Sequence, residues 1–324
     1  MKSTRGDFKV QNSFISIVIA TRNREGFLMD LLESLCNQSF HDFEVIIVDD
    51  SDRSRRKERM VDIDETCSDK LKIKILRNPR NIGLPLSLNR GVSKANGDII
   101  VFTDDDCIAD EDWLSHIVKR YKSPKIGGVG GRVVPIERDA LWLPTKTKRT
   151  HLVGRLSWDG NVISNFELGQ KPVFVDFLSG ASMSFRRELI KKVGGFSSIY
   201  KGNAYRFETG LSLKVKKLGF KIIFDPNAIV FHRRANKGGC RVNVYDWNYW
   251  FSRNHTLFIL RCLKGKVVKV FLFTLEQLLR ILRHRRVCPY AKPKKWHLVL
   301  QMFIKGFLDG LRTGGLTSAA NCWC

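Results

Sequence analysis

Three consecutive carboxylates, Asp104, Asp105 and Asp106, stand just beyond an apolar run, Ile99 to Phe102. Such a run reads as a strand buried on both faces, as in a parallel sheet. In open α/β sheets, ligands sit beyond the carboxyl ends of the strands. Three adjacent Asp repel one another there unless a cation or several donors lie among them. A hard divalent ion carrying a diphosphate meets that need, using one or two carboxylates and phosphate oxygens. The competing reading is a helix N-terminus, because acidic residues before a helix over 113–121 would suit its dipole. A second apolar run, Phe43 to Val48, ends in Asp49-Asp50-Ser51-Asp52. An ionised carboxylate only accepts hydrogen bonds, so Asp50 could take one from a base N–H or a ribose hydroxyl, or it could simply begin a turn.

The surrounding pattern places both acidic groups on one sheet edge. Phe14 to Ala20 is a first strand, Phe27 to Cys36 has helical spacing on Leu28, Leu31, Leu32 and Leu35, and Phe43 to Val48 follows as a βαβ unit. Residues 53–70 are charged and read as a helix, 71–76 as a short strand, and 85–95 as a further helix. Gly127 to Gly131 reads as a glycine-rich turn entering a strand, and 136–172 as irregular. Phe174 to Leu178 reads as a strand, 187–193 as a helix, and Glu208 as opening a helix to Leu218. Two short strands around Asp225-Pro226 then deliver His232. No G-x-G-x-x-G follows the first strand and no G-x-x-x-x-G-K-[ST] occurs, which argues against a dinucleotide oxidoreductase or a P-loop NTPase.

Six motifs in order, SIVIATRNR, VIIVDDSD, RNIGLPLSLNRG, GDIIVFTDDDC, FLSGASMSFRRELIKKVGGF and FETGLSLKVKKLGFKIIFDPNAIVFHR, resemble those of the family 2 nucleotide-sugar glycosyltransferases. The match runs from about Ile15 to about Arg234. The resemblance implies an α/β fold of the GT-A type, a Rossmann-like, mostly parallel mixed sheet flanked by helices. With the charge and apolar pattern of the tail, the chain is expected to divide into a catalytic domain over 1–240 and a basic helical extension over 241–324. The resemblance also implies a nucleoside-diphosphate sugar donor, Mg²⁺ or Mn²⁺, and inverting transfer to a saccharide or lipid-linked acceptor. By the same resemblance Thr21, Arg22, Asp50, Asn81, Asn89, Asp104 and Asp105 bind the nucleotide sugar, and Asp106 and His232 hold the metal. Glu208 matches the catalytic base, while Gly180, Ala181 and Ser182 lie on the acceptor side. Three departures stand out. The usual E-D-x-D block reads Phe207-Glu208-Thr209-Gly210, so two of its three acids are missing. The usual A-R-N reads Ser87-Leu88-Asn89, leaving Arg90 or Arg80 to replace the missing Arg. The usual D-G-S reads Asp50-Ser51-Asp52.

The formal charge of +24 points to an anionic partner. Residues 241–324 hold 15 Lys and Arg against 3 Asp and Glu, which is half of that excess. This stretch also carries the aromatic run Tyr245 to Phe251, the sequence Ser252-Arg253-Asn254-His255, and apolar helical patterns over 257–263 and 267–282. Aromatics, apolar faces and flanking cations suit an interfacial helix on an anionic membrane surface, and equally suit helices packed on the catalytic domain or on a second subunit. No signal peptide or spanning segment is readable, and the eight scattered Cys read as reduced, so the expected location is cytoplasmic, peripheral on the membrane's cytoplasmic face. The rival from another class is an inactive protein of this fold acting as a basic binding module for membrane or nucleic acid. Nucleic acid is disfavoured, because the cations accompany aliphatic runs rather than exposed stacking aromatics and glycines.

Overall fold

β1 (Ile15–Thr21) is apolar along its length and buried on both faces, as a strand inside a sheet must be. α1 (Glu25–Cys36) packs back on its four leucines, and β2 (Phe43–Asp49) pairs parallel to β1. β3 (Ile73–Arg77) adds parallel to β2. After α2 (Leu84–Lys94), β4 (Ile99–Asp104) pairs parallel to the other side of β1. Alternate residues feed two cores: Val18, Ile46 and Phe102 on one face, Ile17, Ile47 and Val101 on the other. This computed structural model describes residues 14–51, 71–137, 140–141, 150–235, 237–284, 288 and 292–315. The helix expected over 53–70 lies outside them.

β5 (Cys107–Ala109) follows β4 at once and precedes α3 (Trp113–Arg120), whose N-cap is Asp112. The three Asp therefore do not cap that helix. β6 (Ile126–Glu137) is paired by β7 (Ala140–Leu141), and β8 (Arg155–Leu156) forms a hairpin with β9 (Val162–Ile163). β10 (Val173–Phe174), β11 (Met183–Arg186), α4 (Arg187–Lys192), α5 (Phe207–Lys217) and β12 (Lys221–His232) complete the sheet region. The ten-stranded sheet runs β10-β12-β6-β11-β4-β1-β2-β3, with β5 paired to β12 and β7 to β6. Antiparallel β11 joins the parallel set to the parallel pair β6 and β12.

Several local expectations are corrected. Gly127 to Gly131 lie inside β6, not in a turn. A Cβ at Gly131 would come within 2.0 Å of the Ala228 carbonyl oxygen, and one at Gly128 within 2.8 Å of the Phe185 ring, so close strand approach explains the glycines. The strand expected over 174–178 shrinks to Val173–Phe174, because Asp176 N and Phe177 N turn to the Gly154 carbonyl instead. The two strands around Asp225-Pro226 are one, with a register shift between Asp225 and Ile229 that accommodates the proline.

Beyond the sheet lie α6 (Val244–Cys262), α7 (Lys266–Leu282) and α8 (Trp296–Gly314). The aromatic run 245–251 is thus helical, and α8 is an element the sequence reading did not contain. Cβ atoms at Gly306 and Gly310 would lie 2.1 Å from the Tyr249 carbonyl oxygen and 2.8 Å from that of Arg253, so this glycine-lined face lets α8 seat on α6. Phe258, Phe273, Val299 and Phe303 from the three helices share one buried cluster with Val18 and Ile100 of the sheet. Cys262 is half of a disulfide, against the expectation that every cysteine stays reduced; Cys36, Cys107 and Cys240 carry free thiols. No described helix is long and apolar enough to cross a membrane.

Candidate active site

The register β1–β4 sets Ala20 opposite Asp104, and β1–β2 sets Thr21 opposite Asp49, so both acidic strand ends meet at one edge. Antiparallel pairing of β5 with β12 places Cys107 opposite His232 and brings Asp106 to the imidazole. His232 Nε2 lies 3.1 Å from Asp106 Oδ1 and 4.0 Å from Asp104 Oδ2. Asp106 Oδ2 also accepts from Ala235 N at 2.8 Å. Burial opposes the charge on Asp106, yet His232 and Arg24 hold its carboxyl well below the usual range.

Asp105 lines the cleft beside these groups but is held by the protein itself. It accepts from the Thr21 hydroxyl at 2.8 Å and from Arg24 Nη1 at 2.8 Å, and burial still pushes its carboxyl up to about 6. Arg24 is the residue that sequence reasoning quoted but left without a role. Its guanidinium also lies 3.2 Å from Asp106 and donates to the carbonyls of Lys237 and Gly238, tying the segment after β12 onto the acidic cluster. Its position after β1, facing three Asp, was the signal available.

A cleft of about 290 Å³ opens on this cluster. Asp104, Asp105, Asp106 and His232 line it together with Gly180, Ala181, Tyr205, Glu208, Arg241 and Trp247. A neighbouring recess, sharing Ala20, Leu84, Gly239 and Cys240 with it, is lined by Thr21, Arg22, Asp50 and Asn81. Asp50 accepts from Asn78 Nδ2 at 2.8 Å, Ile82 N at 2.8 Å and Gly83 N at 2.9 Å. Its Oδ1 is filled by two of these donors, which leaves acceptor capacity on Oδ2. Most residues singled out from the sequence therefore meet in two joined recesses.

Two do not. Asn89 lies outside both recesses; its amide exchanges hydrogen bonds of 2.8 Å each way with the Phe196 backbone and pins α2 to the loop after α4. Ser182 is fully buried, its hydroxyl accepting from Trp113 Nε1 and Gly131 N, so it belongs to the sheet interior rather than to the acceptor side. Neither proposed stand-in for the missing Arg lines the cleft. Arg90 donates to Arg77 O and Asn78 Oδ1, supporting the Asp50 recess from behind, and Arg80 is exposed. Arg24 and Arg241 are the guanidinium groups on the cleft wall.

Glu208 sits in the first turn of α5. Burial pushes its carboxyl up to about 7 against the pull of Arg206, and Asp104 adds to the rise. The acids missing beside it have a packing explanation. Phe207 belongs to a buried core cluster and packs on Phe196, and a Cβ at Gly210 would touch the Tyr200 ring at 3.4 Å, so carboxylates at these two places would meet the core.

Asp106 and His232 provide a hard oxygen and an imidazole nitrogen that fit Mg²⁺ or Mn²⁺. Cys107 is close enough to join them, but burial raises its thiol well above the usual range and keeps it protonated, so it is a poor partner for a hard ion.

The sequence profile of glycosyl transferase family 2 matches residues 16–194, more than half of the chain. The chain belongs to that family. A relative from Haloferax volcanii, a glucosyl-dolichyl phosphate glucuronosyltransferase, is 25% identical over 232 residues, covering 68% of this chain and 69% of the relative. Among solved structures, S. aureus TarS in complex with UDP-GlcNAc superposes with a TM-score of 0.60 at 16% identity, over 92% of this chain and 80% of the other. Mannosyltransferase PcManGT from Pyrobaculum calidifontis, in complex with GDP-Man and Mn²⁺, gives 0.58 at 16% identity, over 94% and 88%. The fold is that of the GT-A nucleotide-sugar glycosyltransferases, and the protein is a glycosyltransferase of this class.

Proposed function

We propose that this glycosyltransferase moves a hexosyl group from a nucleoside-diphosphate sugar to a hydroxyl of a saccharide or lipid-linked saccharide, with inversion, in cell-surface polysaccharide synthesis. The observation that carries the reading is that Glu208 lines the same cleft as Asp104, Asp106 and His232. The Asp50 recess would take the base or ribose, and Asp106 with His232 would hold Mg²⁺ or Mn²⁺ against the diphosphate. A bound divalent ion supplies Lewis-acid neutralisation of the leaving group. Arg24 and Arg241 add positive charge to the same cleft. Glu208 takes the proton of the acceptor hydroxyl as its oxygen attacks the anomeric carbon; the bond from that carbon to the diphosphate oxygen breaks, and the nucleoside diphosphate leaves. General-base help of this kind contributes roughly 10²–10⁴-fold. Most of this machinery falls within the 1–240 catalytic domain, with Arg241 and Trp247 added from the extension, whose helices α6 to α8 pack behind it.

The dolichyl-linked acceptor in the name of the Haloferax relative supports a lipid-linked acceptor here, and with it a peripheral position on the cytoplasmic face of a membrane. The converging acidic groups and the raised Glu208 carboxyl favour a working enzyme over an inactive binding module. The test is nucleoside-diphosphate release from a panel of donors with Mn²⁺ or Mg²⁺, with Asp106→Ala alongside. Release from one donor, lost in the variant and with chelator, is expected. Silence across the panel with membrane extract as acceptor source would overturn the reading.

A further inference from the structure

We propose that the outer face of α7, together with Trp158 of the β8–β9 hairpin, is a docking surface for an anionic lipid bilayer. This deepens the peripheral reading given above by naming the surface that makes the contact. α7 buries Phe273, Gln277 and Ile281, one residue per turn, against the helices behind it. The opposite side carries Val268, Phe271, Leu275, Leu279 and Leu282 at helical spacing, all exposed, with Phe271 at 64% and Leu282 at 68%. A continuous apolar stripe on a soluble-facing helix marks an interaction surface, whereas scattered exposed apolar residues would not. The helix is about 25 Å long at 1.5 Å per residue. It is not long and apolar enough to span, so the stripe would lie along an interface rather than cross it.

A second, separate segment supports the same occupant. The β8–β9 hairpin is held beside α7: Lys269 donates to the Trp158 carbonyl, Asn161 Nδ2 donates to Glu276 Oε2 at 2.7 Å, and Gly160 lies against Leu263. Trp158 is 75% exposed at that place. An amphipathic indole next to an apolar stripe is the arrangement found at headgroup depth.

Charge decides between lipid and a second copy of the chain. Lys264 and Lys266 stand at the start of α7, Arg283 just past its end, and Lys217 and Arg261 join the first two around the α6–α7 turn. The nearby acids are already engaged, Glu276 by Arg280 and Asn161, and Asp159 by Asn161. Two copies meeting through this face would bring the same cations together, which an isologous contact penalises. An anionic bilayer offers apolar depth under the stripe and negative headgroups at both ends.

The test is co-sedimentation of the full chain with phosphatidylcholine vesicles and with vesicles also containing phosphatidylglycerol. Binding to the anionic vesicles is expected, weakening as salt shortens the screening length. Phe271→Glu should lower partitioning by roughly tenfold or more, since it replaces an inserted ring by a like charge to the headgroups. Lys264→Glu with Lys266→Glu should do so without touching the stripe. Donor hydrolysis by each variant, measured in the absence of vesicles, should equal that of the parent. Absence of vesicle binding by the parent, or binding unchanged in both variants, overturns the proposal whatever the donor assay gives. A dimer in analytical ultracentrifugation that Phe271→Glu dissociates, without vesicle binding, overturns it in favour of a second copy. Loss of donor hydrolysis in the parent with vesicle binding intact would overturn the enzymatic reading and leave this one standing.

Discussion

Arg206 donates from Nε to Nδ1 of His255 at 3.0 Å, joining the residue two before Glu208 to the middle of α6. Burial and the guanidinium push the imidazole well below its usual range, so His255 stays neutral and accepts. The same helix holds the rest of the loop: Arg253 donates to Ile199 O, and Asn254 to Lys201 O and Asn203 Oδ1. Ala204 and Arg206 have φ values of 52° and 76°, a left-handed backbone that L side chains rarely adopt without such outside support.

Glu208 is therefore positioned by residues some fifty places later in the chain. His255→Leu removes the acceptor and should lower kcat by roughly tenfold with little change in donor KM, because the base shifts while the donor recess does not. His255→Asn keeps an acceptor oxygen near the Nδ1 position and should retain most of the rate. Steady-state kinetics on both variants checks this; equal losses, or a loss confined to KM, would remove the positioning role.

The raised Glu208 carboxyl sets the pH dependence. A general base works ionised, so kcat/KM should climb with pH through about 7 and level off above it. Glu208→Gln should lose roughly 10²–10⁴ in turnover and flatten that limb. Stability should run the other way. With the folded value raised, this group contributes stability that is fully present below the unfolded pKa and lost as pH rises through about 7. Thermal melts should show the parent losing ground to Glu208→Gln between about pH 5 and 8. Parallel melting curves for the two proteins would mean that the carboxyl is not raised.

Asp106 has three partners where His232 has one carboxylate at hydrogen-bond distance, and their variants should separate accordingly. Asp106→Ala should abolish metal-stimulated turnover and Mn²⁺ binding read by electron paramagnetic resonance. His232→Ala should weaken Mn²⁺ binding by roughly 10–100-fold, the scale on which metal-site interactions act, and be relieved in part by excess ion. Full Mn²⁺ affinity in both variants would place the ion elsewhere.

The sheet and its acidic edge were legible because buried parallel strands have an apolar pattern that ends abruptly where the ligand sits. Asp50, Asp104, Asp106, Glu208 and His232 all converge, and each lies at or beside the end of a strand or the start of a helix. What stayed hidden depends on contacts distant in sequence. Ser182 looked like an acceptor-side hydroxyl until β11 turned it toward Trp113, and Asn89 looked like a donor ligand until its partner proved to be Phe196. The glycines of β6 carry the composition of a turn, yet their cause is a neighbouring strand. No local pattern announces that Arg253, Asn254 and His255 reach back to the loop before Glu208.

The same logic predicts opposite signs for one substitution at two glycines. Gly26 sits in α1 with nothing within 4 Å of an added Cβ and no positive φ. Gly26→Ala should stabilise the protein by about 0.5–1 kcal/mol, through the lower entropy of the unfolded chain. Gly306 sits in α8 where an added Cβ would meet the Tyr249 carbonyl oxygen at 2.1 Å and the Ser252 hydroxyl at 2.4 Å. Backbone cannot retreat as a flexible side-chain tip can, so Gly306→Ala should destabilise by about 1–3 kcal/mol in urea unfolding. Because α6 also holds the loop before Glu208, the second variant should lose turnover as α8 is pushed off, and the first should not. If both glycines tolerate alanine equally, α8 does not seat on α6, and the bracing of the catalytic loop by the C-terminal helices fails with it.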